Sequence, residues 1–60
     1  METINVKILD YYNRPGYYPY MSDDLFLILE QGFLDDKESI DVPKHMFDIM
    51  LDKLNQNHNE

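Results

Sequence analysis

The chain holds 60 residues, twelve acidic and five basic, with a net charge of −7 and no cysteine. That length allows one domain at most, and the charge argues against direct binding to phosphate backbones or anionic membranes. The missing thiols exclude disulfides and cysteine-ligated metal, so a chain that buries only about 60% of its unfolded surface leans on self-association or a partner for further stability.

The first predicted element is residues 3–10, "TINVKILD". Ile4, Val6 and Ile8 alternate with Thr3, Asn5 and Lys7, and period 2 with β-branched residues predicts a strand. The preceding residues lack the basic flank and apolar run of a signal peptide, and no stretch approaches the ~18 apolar residues of a membrane span. Together with the absence of cysteine, these features lead us to expect a soluble, cytoplasmic protein. A hydrophobic content of 43% suffices for a folded core.

Residues 11–21, "YYNRPGYYPYM", contain all five tyrosines, two of the three prolines and one of the two glycines. Pro15-Gly16 matches the central pair of a type II turn, with glycine supplying the positive φ. "YYPY" reads as a short strand, and Pro19 would confine it to a sheet edge. In a strand Tyr17 and Tyr18 point to opposite sides, so at least one or two rings should be exposed. The segment admits two readings. It is a proline-stiffened contact surface built from Tyr11, Tyr12, Tyr17, Tyr18 and Tyr20, or it is local core for a chain short of bulk.

Residues 22–33, "SDDLFLILEQGF", support either a strand or a short helix. For the helix, Ser22 is an N-cap, Asp23 and Asp24 suit the positive end of the dipole, and Gly32 sits at C′. For the strand, "LFLIL" is an unbroken apolar run of strand length. The run tips the reading slightly to strand.

"DDKES" is a polar connection, and "SIDV" is a short strand. It leads into the clearest helix, "PKHMFDIMLDKLNQ", with Pro43 in its first turn and Asp41 as cap. Met46, Phe47, Met50, Leu51 and Leu54 form one stripe at spacings of three and four. The stripe reads as core or, alternatively, as a dimer seam. The fold class is α+β, a small antiparallel sheet with a C-terminal amphipathic helix. A single domain spans residues 1–56, and residues 57–60 are a polar tail.

Catalytic chemistry finds little material. The serines are Ser22 and Ser39 and the histidines His45 and His58, too scattered to suggest a nucleophile, base and orienting group. Asp35, Asp36, Glu38 and Asp41 are dense enough for a weak divalent site, but their register does not fit an EF-hand loop, and acid–base work needs a carboxyl desolvated in a cleft. No glycine loop for phosphate is present. We expect no enzyme, cofactor or resident metal.

The charge is uneven. Residues 21–41 carry Asp23, Asp24, Glu30, Asp35, Asp36, Glu38 and Asp41 against Lys37 alone, a net of −6, while residues 1–20 are neutral. Such a track either solvates turns and aids solubility or imitates the phosphates of DNA before a basic cleft. Under the second reading the partner-binding residues are the five tyrosines with Asp23, Asp24, Phe26, Glu30, Asp35, Asp36 and Glu38.

Tyrosines in "YYPY" followed by the acidic, aromatic-bearing "SDDLFLILEQG" resemble a class of small acidic phage proteins that inhibit host enzymes. Within it the likeness is to the DNA-mimicking inhibitors of uracil-DNA glycosylase. The likeness covers roughly a quarter of the chain, and the C-terminal helix departs from that pattern. It implies a dimeric inhibitor in the host cytoplasm that occupies a nucleic-acid-processing enzyme, with Phe26 or Tyr20 as apolar anchor and Asp23, Asp24 and Glu30 as mimicking charges. The alternative expectation is a structural or assembly subunit acting as an obligate homodimer.

Overall fold

A computed structural model describes residues 1–58. Strand β1 (Thr3–Lys7) runs into a single helical turn α1 (Ile8–Tyr11), a 3-10 turn (Tyr18–Tyr20), helix α2 (Asp23–Leu34), strand β2 (Ser39–Pro43) and helix α3 (Lys44–His58). The α+β class with a C-terminal helix is thus the observed one.

β1 and β2 pair antiparallel, with Thr3 opposite Pro43, Asn5 opposite Asp41 and Lys7 opposite Ser39. The strands are the two ends of a long excursion through α1 and α2 rather than a hairpin. Ile4, Val6, Ile40 and Val42 face the helices, and Thr3, Asn5, Lys7 and Asp41 face outward. One apolar and one wet face is the usual pattern for an antiparallel sheet. Across the wet face Asn5 Nδ2 donates to Asp41 Oδ1 at 3.0 Å, so Asp41 is mid-strand and does not cap α3. The first N–H of α3, from Lys44, instead donates to the Glu2 carbonyl at 2.9 Å, and Pro43 closes β2 rather than opening the helix.

The predicted strand over residues 3–10 stops early. β2 begins at Ser39, so beyond the Lys7–Ser39 pair there is no strand residue for Leu9 or Asp10 to meet. Ile8 N–H makes a last bond to Glu38 O at 3.0 Å, and Tyr12 N–H then closes a helical turn on Ile8 O at 2.8 Å. Ile8 is nonetheless fully buried. The alternation identified its burial correctly and its backbone wrongly.

Residues 22–33 are helix, not strand. The Ser22 side chain accepts from Leu25 N–H at 3.1 Å, and Asp23 and Asp24 occupy the first turn, where the dipole favours them. Gly32 is not the C′ residue. The helix continues to Leu34 and closes in a Schellman pattern, with Asp36 N–H on Phe33 O at 3.1 Å and Lys37 N–H on Gly32 O at 3.0 Å. The left-handed C′ residue is Asp36, at φ 61°.

The Tyr11–Met21 segment holds no strand. A type II turn is present, but three residues earlier than predicted. Tyr12 has φ −64°, ψ 122°, Asn13 takes the left-handed position at φ 53°, and Arg14 N–H returns to Tyr11 O at 3.3 Å. Gly16 does not adopt a positive φ, and "YPY" is the 3-10 turn.

The core is Val6, Ile8, Leu25, Leu29, Val42, Phe47 and Met50. Met46 and Leu51 of the α3 stripe pack against it, as expected of the buried side of an amphipathic helix. α3 extends to His58, two residues into the predicted tail. Residues 59 and 60, and the side chain of His58, lie outside the described residues.

Candidate functional site

α2 explains where the site can be. Seven of its twelve residues are large and apolar: Leu25, Phe26, Leu27, Ile28, Leu29, Phe33 and Leu34. A helix lying on a core buries one stripe, and here the stripe is Leu25, Leu29 and Gly32. The remaining apolar side chains have to go elsewhere. Leu27 and Leu34, seven residues apart on one side of the helix, are 57% and 69% exposed, and Phe33 is 48% exposed.

The tyrosine segment is organised around that surplus. The Tyr12 ring lies between Phe26 and Phe33, stacked on both with centroids 5.3 Å and 5.0 Å away. Tyr18 meets Phe26 edge-on at 5.3 Å. The result is a four-ring row, Tyr18–Phe26–Tyr12–Phe33, along one flank of α2. A second set faces α3: Tyr17 contacts Tyr11 at 4.8 Å, and Tyr11 contacts Phe47 of the core at 5.1 Å. Asn57 Nδ2 of α3 donates to the Tyr20 hydroxyl. Burial raises the Tyr11 phenol above its ordinary value, with Tyr17 and Asp10 adding to the shift.

The five tyrosines therefore divide. Tyr11, Tyr17 and Tyr20 fasten the segment to α3 and the core. Tyr12 is half-buried between two phenylalanines, and Tyr18, at 47% exposure, is the ring most open to solvent. Between Tyr18 and the start of α2 is a surface hollow of about 250 Å³ lined by Tyr18, Pro19, Met21, Ser22, Asp23 and Phe26.

The acidic candidates all belong to α2 or the turn after it. Asp23 and Asp24 stand at its N-terminal end, Glu30 one turn from the exposed Leu27 and Leu34, and Asp35, Asp36 and Glu38 beyond its C-terminal end. Among the described residues the ion pair that forms is elsewhere, Lys44 with Asp48 at 2.7 Å on α3; it raises the Lys44 ammonium above its ordinary value. None of the six carboxylates has a cationic partner there. Asp35 accepts a bond from Gln31 Nε2 at 3.1 Å. Asp35 and Asp36 sit at the negative end of the helix dipole, the end that disfavours anions.

Ser22 is used as a cap, Ser39 pairs opposite Lys7, and His45 is exposed on the first turn of α3, so these groups are on separate elements. Among the described residues no three His, Asp or Glu side chains are placed to hold a metal ion. No described helix is long and apolar enough to cross a membrane.

No protein-family model matches this chain, and no curated protein or solved structure does.

Sequence reasoning named Phe26, the tyrosines and the carboxylates but missed Leu27, Phe33 and Leu34. The signal was available. An apolar run is double-sided core in a strand, but in a helix the run "LFLIL" must leave a member such as Leu27 outside, and a helix prolonged past Gly32 carries Leu34 at the same angular position seven residues on.

Proposed function

We propose that this chain is a non-enzymatic protein-binding module that presents the outer side of α2 to a basic surface of a larger protein and inhibits that protein by occupying the surface. One observation carries the reading. The outer side of α2 carries the Tyr18–Phe26–Tyr12–Phe33 row and the exposed Leu27 and Leu34, with Glu30 between the two lines and carboxylates at both ends of the helix, none with a cationic partner among the described residues. Large exposed apolar side chains in one patch mark interaction sites, and an apolar centre with a charged rim is the anatomy of an interface. The ring stacking holds the row in shape before binding, which lowers the ordering cost. The carboxylates select a basic partner and speed the encounter. A nucleic-acid-processing enzyme, whose cleft is basic, fits this chemistry, as does the likeness to DNA-mimicking phage inhibitors, which would place the chain in the host cytoplasm.

The test is affinity capture from lysate with the wild-type chain and with a Leu27→Ser/Leu34→Ser variant. The expected result is a basic protein retained by the wild type alone and released as ionic strength rises, because exposed charges are screened beyond a Debye length of about 10 Å at 0.1 M salt. Equal retention by both proteins, or capture indifferent to salt, sinks the reading.

A second reading rests on the extent of exposed apolar surface, which includes Leu9 and Ile49 besides the outer side of α2. In it that side of α2 is covered by another copy, and the chain is a structural subunit. It requires a melting temperature that rises with protein concentration. A concentration-independent melt with a monomer mass removes it.

A further inference from the structure

We infer that the hollow between the 3-10 turn and α2 is a binding site for a single arginine side chain of the basic partner. The inference rests on the proposed function for the source of that arginine and adds the place where it is held.

The hollow combines three surfaces. Tyr18 and Phe26 form its aromatic walls, in edge contact with each other, and half of Tyr18 is open to solvent. Met21 and Pro19 offer apolar surface to an alkyl stem, and Asp23 supplies a carboxylate. Its volume of about 250 Å³ is below the ~300–1,000 Å³ of small-molecule sites, which suits one long side chain. Aromatic surface beside a carboxylate is the setting that a planar guanidinium exploits, stacking on the ring and bonding the carboxylate in a fork. A lysine ammonium has the charge without the plane.

The α2 N-terminus carries a partial positive charge of about +0.5, which the two carboxylates of Asp23 and Asp24 outweigh. The Ser22 hydroxyl already accepts from Leu25 N–H, and Asp23 and Asp24 carry two carboxylates at this end of α2, so a ligand carboxylate would meet like charge. A second hollow, about 180 Å³ and lined by Met1, Glu2, Lys44, His45 and Asp48, contains its own cation, already paired with Asp48, and no tyrosine or phenylalanine ring. The hollow beside Tyr18 combines phenyl and phenol walls with an Asp23 carboxylate that has no cationic partner among the described residues.

The experiment is a titration of the isotope-labelled protein with Nα-acetyl-arginine amide at constant ionic strength, followed by backbone amide shifts. Parallel titrations use the lysine, citrulline and glutamate derivatives. Saturable shifts centred on Tyr18, Met21, Asp23 and Phe26 are expected with arginine. Citrulline, the neutral isostere, should bind about fivefold more weakly, the scale of one solvent-exposed charge pair. Asp23→Asn should reduce arginine binding to the citrulline level, and Tyr18→Ala should abolish it while the remaining shifts report an intact fold. Equal response to citrulline or glutamate, or no saturable response to arginine, overturns the site. The two proposals fail separately. If arginine does not bind but capture still depends on Leu27 and Leu34, the pocket falls and the binding role stands. If arginine binds and no basic protein is captured, the reverse holds.

Discussion

Gly32 of α2 lies directly against Ile8, the first residue after β1. A Cβ on Gly32 would come within 2.7 Å of Ile8 Cδ1 and 3.1 Å of Ile40 Cδ1. Ile8 is fully buried, so any shift of its methyl has to be taken up within the packed core. Gly32→Ala is expected to destabilise the fold. Overpacking costs about 1–3 kcal/mol, and the gain in helix propensity returns no more than ~1 kcal/mol. Gly16, with nothing within 4 Å of a Cβ and no positive φ, is the control: Gly16→Ala should stabilise by about 0.4–1 kcal/mol through the unfolded chain. Urea midpoints of the two variants should move in opposite directions.

Asp36 occupies a left-handed position that glycine fills without steric penalty. Asp36→Gly is expected to raise stability by about 1 kcal/mol, a rise of about 4–8 °C in Tm for a domain of this size. It also removes an anion from the negative end of α2. If Asp36 belongs to the partner-binding rim, the same variant should bind the captured protein more weakly, and this opposition between stability and affinity is read by melting and binding on one sample. A variant that is more stable with unchanged affinity assigns Asp36 to solubility alone.

Tyr12 and Tyr18 should separate core from surface. Tyr12 stacks on two phenylalanines. Each aromatic pair contributes roughly 0.5–1.5 kcal/mol beyond burial, so Tyr12→Ala is expected to lower stability by about 2–4 kcal/mol, in the range of other large aromatic truncations. Tyr18 has one edge contact and is half exposed. Tyr18→Ala should cost about 1 kcal/mol or less while reducing partner capture strongly. Comparable unfolding by both changes would make the whole segment core.

Alkaline pH should loosen the fold. The Tyr11 phenol is raised above 10.0 by burial, so the folded state favours its neutral form. Its contribution is fully present below pH 10.0 and is lost as pH rises through the folded value. Lys44, raised above 10.5 by Asp48, acts in the same direction, with little effect because the pair is exposed. Tyr11→Phe should flatten the fall of the urea midpoint above pH 10.0, and an unchanged slope would remove Tyr11 from the account.

Local chemistry was enough for part of this protein. The period-2 run placed Ile4, Val6 and Ile8 on the core side, the spacing of Met46, Phe47 and Met50 defined α3, and the α+β class followed. Ser22, Asp23 and Asp24 were recognisable as a helix start because a cap acts within three residues of itself. What the local pattern could not settle was the state of "LFLIL", which is apolar enough for either a central strand or a helix. Tertiary contact decided it: β1 and β2 pair only with each other, and Gly32 serves as the close approach to Ile8 and Ile40 rather than as a helix stop. The same decision created the candidate site. A double-faced apolar strand over "LFLIL" would have buried Leu27, whereas a helix with one face on the core leaves it outside and carries Phe33 and Leu34 in its last turn, also exposed. Five tyrosines in eleven residues were legible as a cluster from the start. Their division into fasteners of α3 and a row along α2 depends on partners eight to thirty-seven residues away across a turn or a whole element, where sequence spacing carries no geometric information.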